Sequence, residues 1–212
     1  MKTAYFWLTP QGKQLAEQLQ AHFGGTVEPK ADFAEAVRRA FADCDALVFV
    51  MATGIVVRTI APLVQSKASD PAVLVLDQRG KHVISLLSGH LGGANAMAEQ
   101  VAAYLGGEAV ITTATDVEHV PAFDLFAKEN HLTIENLEEL KYISGALVAG
   151  EPVSLCTAFP VEKNAFPETV QIQPFSETPR HACAVAIADT TESVAAPHVL
   201  YLRPKSLVLG VG

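Results

Sequence analysis

The densest group of reactive side chains is the run SLLSGHLGGAN, residues 85–95. An apolar stretch from Val83 to Leu87 leads directly into Ser88, Gly89 and His90, then Gly92 and Gly93, then an amphipathic pattern that begins at Ala94 and Asn95. A glycine-permitted turn of this kind presents backbone N–H groups at a helix N-terminus, where unpaired donors and the helix dipole favour an anion. A histidine on such a loop suits water activation or proton transfer, because imidazole ordinarily titrates near neutrality. A tight strand-to-helix connection with no ligand would use the same glycines. The spacing is not that of a dinucleotide fingerprint.

Two further stretches follow strand-like runs. In ATGIVVRTIAPLVQSK, residues 52–67, Thr53 and Gly54 open a helix and Arg58 follows four residues after the glycine. An arginine there can hold a carboxylate through two parallel hydrogen bonds, and Lys67 can add a point charge. The plainer alternatives are an Arg58 paired with an internal carboxylate and a solvated Lys67. After the short run Ala109–Ile111 come Thr112, Thr113, Thr115 and Asp116. Their hydroxyls and carboxylate either cap the next helix or line a polar pocket. Asp124, further on, reads as a helix-face residue. There is no Gly-x-Ser-x-Gly elbow, no phosphate-binding P-loop motif and no His-Glu-x-x-His pair. His119, His131, His181 and His198 lack mutual ligand spacing, so the expectation is that the protein binds no metal of its own.

The elements that must position these residues are legible from hydrophobic period. Thr3–Leu8 reads as a strand, stopped by Thr9, Pro10, Gln11 and Gly12. Leu15, Ala16, Leu19 and Phe23 recur at helical spacing, as do Phe33, Ala36, Val37, Ala40 and Phe41 after a possible cap at Asp32. Ala46–Met51 is a continuous apolar run, the signature of a strand buried on both faces. Val73–Leu76 and Val83–Leu87 are further strands, separated by the turn Gln78-Arg79-Gly80. Ala94 to Leu105 is a helix and Ala109–Ile111 a strand. This alternation predicts an α/β fold, a doubly wound and mostly parallel sheet over residues 1–115. The grammar then changes. Helices around Phe123–Ala127 and Leu137–Leu147, the second with a capping-box-like start at Asn136 and Glu139, precede short β-like runs at 153–156, 169–172, 182–187 and 199–202. A smaller α+β segment over 116–204 is expected. KSLVLGVG, 205–212, reads as the opening strand of a further domain.

Composition narrows the function classes. Half of the residues are hydrophobic and 18% are charged, so a folded globular chain is expected. A net charge of −8 without a basic cluster argues against nucleic acid and anionic membrane surfaces as partners. Cys44, Cys156 and Cys183 lie far apart, which suits buried free thiols in a reducing compartment. No apolar run reaches the ~18 residues of a membrane span and no signal pattern opens the chain, so a cytoplasmic location is expected.

The stretches TGIVVRTIAPLVQSKASDPAVLVLD, VISLLSGHLGGANAMAEQVA and VITTATDV, with Asp124 after the last, resemble the cobalt-precorrin-5A hydrolase family. The resemblance covers residues 1 to about 160 and thins from there to about 203. It implies a step of anaerobic cobalamin biosynthesis. A lactone joining the ring A acetate to C20 of a cobalt-bearing tetrapyrrole is opened, and the C20 fragment leaves as acetaldehyde. It implies no resident cofactor, because cobalt arrives inside the substrate, and a small-molecule cobalt-corrinoid as partner. A homodimer and contacts with other enzymes of that pathway stay open. On this reading His90 activates water and Asp116 shuttles a proton. Gly92, Gly93, Thr112 or Thr113 faces the oxyanion, and Thr53, Gly54, Arg58, Lys67, Ser88, Gly89, Asn95 and Thr115 join them in binding substrate. All of these are expected at converging strand ends, around one cleft. Two rival readings are a non-catalytic corrinoid- or anion-binding module of a larger enzyme, and a nucleotide-sugar or phosphosugar enzyme built on the Gly-rich turn.

Overall fold

The computed structural model describes residues 1–162 and 165–205. The chain divides into two compact units, Met1–Thr112 and Thr113–Gly212. The stretch expected to open a further domain lies, from residue 206 on, outside the described residues.

In the first unit the elements run β1 (Thr3–Trp7), α1 (Pro10–Phe23), β2 (Thr26–Val27), α2 (Phe33–Asp43), β3 (Ala46–Val50), α3 (Thr53–Ile60), β4 (Ala72–Leu76), β5 (His82–Leu87), α4 (Ala94–Leu105) and β6 (Glu108–Val110). The sheet order is β2-β1-β3-β4-β5-β6. β3 and β4 are buried at every position, which is why their sequences are unbroken apolar runs instead of alternating ones. Alternate residues feed two cores. Tyr5, Val48, Leu74 and Leu76 pack with Leu15 and Leu19 of α1 and Met97 and Val101 of α4. Phe6, Leu47, Phe49, Val73 and Val75 pack with Val37 of α2 and with Val56 and Ile60 of α3. Helices on both faces make the sheet doubly wound, as expected.

One strand direction differs from the expectation. β1, β2, β3 and β4 are mutually parallel, but β5 runs antiparallel to β4, pairing Val83 with Leu76 and Leu87 with Val73. β6 is parallel to β5. The link 77–81 is a hairpin. Asp77 holds it by accepting hydrogen bonds from the N–H groups of Arg79 and His82, each at 2.8 Å. A parallel crossover needs about a dozen residues or more, so a link this short can only reverse the chain.

The second unit contains α5 (Ala114–Val117), α6 (Phe123–Glu129), β7 (Leu132–Ile134), a 3-10 turn at Leu137–Glu139, α7 (Leu140–Val148), β8 (Val153–Thr157), β9 (Val170–Pro174), β10 (Cys183–Ile187) and β11 (His198–Pro204). The order is β7-β11-β10-β8-β9, with only β7 antiparallel to its neighbour. Phe123, Ile143 and Leu147 cover one face of this sheet over Leu155, Val185 and Leu200.

Two expected caps are absent. Asp32 does precede α2, but in the left-handed region (φ 55°) and without a side-chain cap. Asn136 and Glu139 form no capping box. The Asn136 amide pairs with β11, donating to the Val199 carbonyl at 2.7 Å and accepting from the Tyr201 N–H at 2.9 Å. Glu139 meets His198 Nδ1 at 2.9 Å. All three cysteines are free. Cys156 is fully buried, and burial, with Glu177 nearby, pushes its thiol up to about 11. Among the described residues no helix is long and apolar enough to cross a membrane.

Candidate functional site

The reversal of β5 separates residues expected to converge. Thr53, Gly54 and Arg58 belong to α3, which starts where β3 ends. Arg58 folds back over that start, with Nη1 3.4 Å from the point where a Cβ on Gly54 would lie. The turn after β5 emerges beside the first residues of β4, because Leu87 pairs with Val73. There the Ser88 hydroxyl donates to the Asp70 carbonyl at 2.9 Å. His90 and Arg58 therefore sit at opposite ends of the sheet, and the single cleft they were expected to share does not exist. Lys67 lies in the link that returns from α3 to β4, and Thr112 follows β6, which is parallel to β5. Both belong to the His90 end. Thr113, Thr115 and Asp116 belong to the second unit, where Thr113 precedes α5 and Thr115 is buried.

At the His90 end the motif residues build one rigid turn. Ser88 takes a left-handed backbone (φ 59°). Its carbonyl accepts from Ala94 N–H, and that of Gly89 accepts from Asn95 N–H, each at 3.1 Å. The first N–H groups of α4 are thus used inside the turn, contrary to the expected open anion cradle. The N–H groups of Gly92 and Gly93 make no hydrogen bond among the described residues. Asn95 is buried, accepts from the Ser85 hydroxyl at 2.6 Å and fills the space where Gly89 would carry a Cβ, 2.7 Å from such an atom. A Cβ on Gly92 would lie 2.4 Å from Ser88 Cβ and 2.7 Å from the Ser88 carbonyl oxygen. The contact with backbone cannot be relieved by a rotamer change. Gly92→Ala is expected to destabilise the first unit by about 1–3 kcal/mol. Urea unfolding followed by the fluorescence of Trp7, the sole tryptophan, measures this. The serine, glycines and asparagine thus shape a loop that holds the half-buried His90 near its tip.

The other end of the sheet holds a cavity of about 470 Å³. It opens at the C-terminal ends of β1, β3 and β4, and its lining includes Thr9, Val50, Thr53, Leu76, Asp77 and His82. Thr9 caps α1 by accepting the Gly12 N–H at 3.0 Å and reaches Gln78 Oε1 at 3.3 Å. His82 Nδ1 stands 3.5 Å from Asp77 Oδ2. Burial alone would raise the Asp77 carboxyl, but the backbone N–H groups of His82 and Arg79 and the His82 ring hold it below its ordinary value. Arg58 forms no ion pair or hydrogen bond among the described residues, so it does not pair with an internal carboxylate. Reading the sequence missed Thr9, Asp77, Gln78 and His82 as site residues. The available signal was their position in polar turns directly after buried strands.

A doubly wound unit followed by a second, mostly parallel unit defines a two-unit α/β protein. Two family models match it: cobalamin synthesis G N-terminal over residues 35–116, and cobalamin biosynthesis central region over residues 121–204. The chain belongs to this cobalamin biosynthesis G family and carries its N-terminal and central regions. It is 44% identical over 165 residues to the cobalt-precorrin-5A hydrolase of Salmonella typhimurium, covering 72% of this chain and 47% of that protein. It is 37% identical over 180 residues to the cobalt-precorrin-5A hydrolase of Priestia megaterium, covering 78% and 48% respectively. The chain spans about half the length of these curated relatives. The crystal structure of a cobalamin biosynthesis protein G homolog from Sulfolobus solfataricus superposes with a TM-score of 0.55 at 25% identity, covering 96% of this chain and 60% of that one.

Proposed function

We propose that this chain forms the N-terminal and central part of a cobalt-precorrin-5A hydrolase, opening the ring A acetate–C20 lactone and releasing acetaldehyde. The observation that carries this reading is the 44% identity over 165 residues with the Salmonella enzyme of that name. The turn geometry supports it with one half-buried histidine beside two backbone donors that make no hydrogen bond among the described residues. In the proposed reaction His90 takes a proton from water as the oxygen adds to the lactone carbonyl. The N–H groups of Gly92 and Gly93 face the developing oxyanion. The ester C–O bond breaks, giving the ring A acetate and a hydroxyl on the C20 fragment. That hydroxyl gives up its proton, the carbon–carbon bond to the macrocycle breaks and acetaldehyde leaves. The electron pair stays on the macrocycle, which takes up a proton. Lys67, at the same end, is assigned to a peripheral carboxylate. Cobalt enters as part of the substrate, and the cytoplasm is the proposed location.

The test supplies cobalt-precorrin-5A to the chain, alone and fused to the C-terminal part of its Salmonella relative, and traps acetaldehyde as a hydrazone. One equivalent of acetaldehyde per corrinoid is expected from the fusion. A fusion that folds but releases none sinks the proposal.

A further inference from the structure

The crevice at the C-terminal ends of β1, β3 and β4 takes no part in lactone opening as proposed, because His90 lies at the other end of the sheet. Its position is nonetheless that of a ligand site. α1 leaves β1 toward one face of the sheet and α3 leaves β3 toward the other, and open α/β sheets receive ligands where such connections part. The volume of about 470 Å³ falls inside the range of small-molecule sites, about 300–1,000 Å³. The walls are apolar and come from strand ends: Val50, Met51, Val75, Leu76 and Ile84. They suit the faces of a flat, mostly apolar ring.

The two sides of the crevice differ in charge. On the hairpin side the Asp77 carboxylate is already engaged by Arg79 and His82. On the α3 side there is no side-chain cap, and the N–H groups of Thr53 and Gly54 start the helix without a hydrogen-bond partner among the described residues. Arg58 folds over the same Gly54 with no partner among the described residues. An anionic group is repelled on the first side and attracted on the second. We propose that this crevice binds a flat, mostly apolar ring carrying an anionic arm, with the ring between the strand-end walls and the arm at Thr53, Gly54 and Arg58.

Two sources share that chemistry, a carboxylate-rimmed corrinoid and a nucleotide. Calorimetric titration of the 212-residue chain with cobyrinic acid and, separately, with adenosine monophosphate tells them apart. Saturable binding of at least one is expected. It should weaken by at least about tenfold in Arg58→Ala and vanish in Ala52→Trp, which fills the crevice mouth. Binding of cobyrinic acid alone identifies the arm as a corrinoid carboxylate and moves the macrocycle to this end, away from His90. Binding of the nucleotide alone makes the crevice a second site. Absence of binding by both ligands, or binding that both variants leave intact, overturns the proposal. Should Ala52→Trp not fold, the exposed Arg58→Ala decides alone. No turnover is read, so failure here leaves the hydrolase reading standing, and absence of acetaldehyde leaves this one standing.

Discussion

For the proposed hydrolase, lactone turnover by the fusion is expected to fall by about 10²–10⁴-fold when His90 is replaced by alanine, the usual contribution of a positioned general base. That corresponds to about 2.7–5.5 kcal/mol of barrier. The expectation rests on how the turn is built. Ser88, Gly89, Gly92 and Asn95 pack against one another, the Ser88 hydroxyl is tied to the Asp70 carbonyl and Asn95 to the Ser85 hydroxyl, so the loop's shape is fixed by packing and hydrogen bonds. His90 is the one imidazole of the motif, the side-chain type suited to general-base work. His90→Gln separates chemistry from architecture, because glutamine keeps the bulk and the hydrogen-bonding edge of imidazole but cannot take up a proton. Both variants should still bind corrinoid while failing to release acetaldehyde. Turnover within about threefold of the parent in His90→Gln would remove the histidine from the role of base, since base catalysis is worth far more.

Hydrophobic period alone was enough to see most of this fold. The unbroken runs of β3 and β4 and the helical spacing of α1, α2, α4 and α7 all correspond to elements of the structure. Strand direction was harder to see, although the shortness of the link 77–81 already required a hairpin. Missing that one reversal placed Arg58 and His90 at a common cleft when they occupy opposite ends of the sheet. Asn136 illustrates a different loss. Its neighbours spell a capping box, yet its amide partners lie 63 and 65 residues away on β11, and no local pattern encodes such pairing. The crevice was hidden because Thr9, Asp77 and Gln78 are ordinary turn residues by type. Only the meeting of three strand ends makes them a lining.

Phe49→Ala is expected to cost the first unit about 3–5 kcal/mol, the range for truncating a fully buried aromatic ring. Phe49 is the fourth of the five residues of β3 and is wholly excluded from solvent. Its ring stacks on Phe6 with centroids 4.9 Å apart, and Phe6 in turn meets Phe33 edge-on at 6.0 Å. The lost ring leaves a void between two sheet strands and α2, and the β3 backbone is held on both sides by parallel pairing with β1 and β4, so the walls cannot collapse into it. Domains of this size are stable by about 5–15 kcal/mol, so the loss is a large part of the total. Trp7 follows Phe6 on β1 but packs on the opposite face of the sheet, and its indole N–H donates to the Glu28 carbonyl at 3.0 Å, so its emission reports the unfolding of the unit both cores share. The urea midpoint read from that emission should drop sharply in Phe49→Ala, and Phe49→Leu should recover about half of the loss by refilling most of the volume. Equal midpoints for parent and Phe49→Ala would mean that this face of the sheet is not the close-packed core from which both strand-end loops are hung.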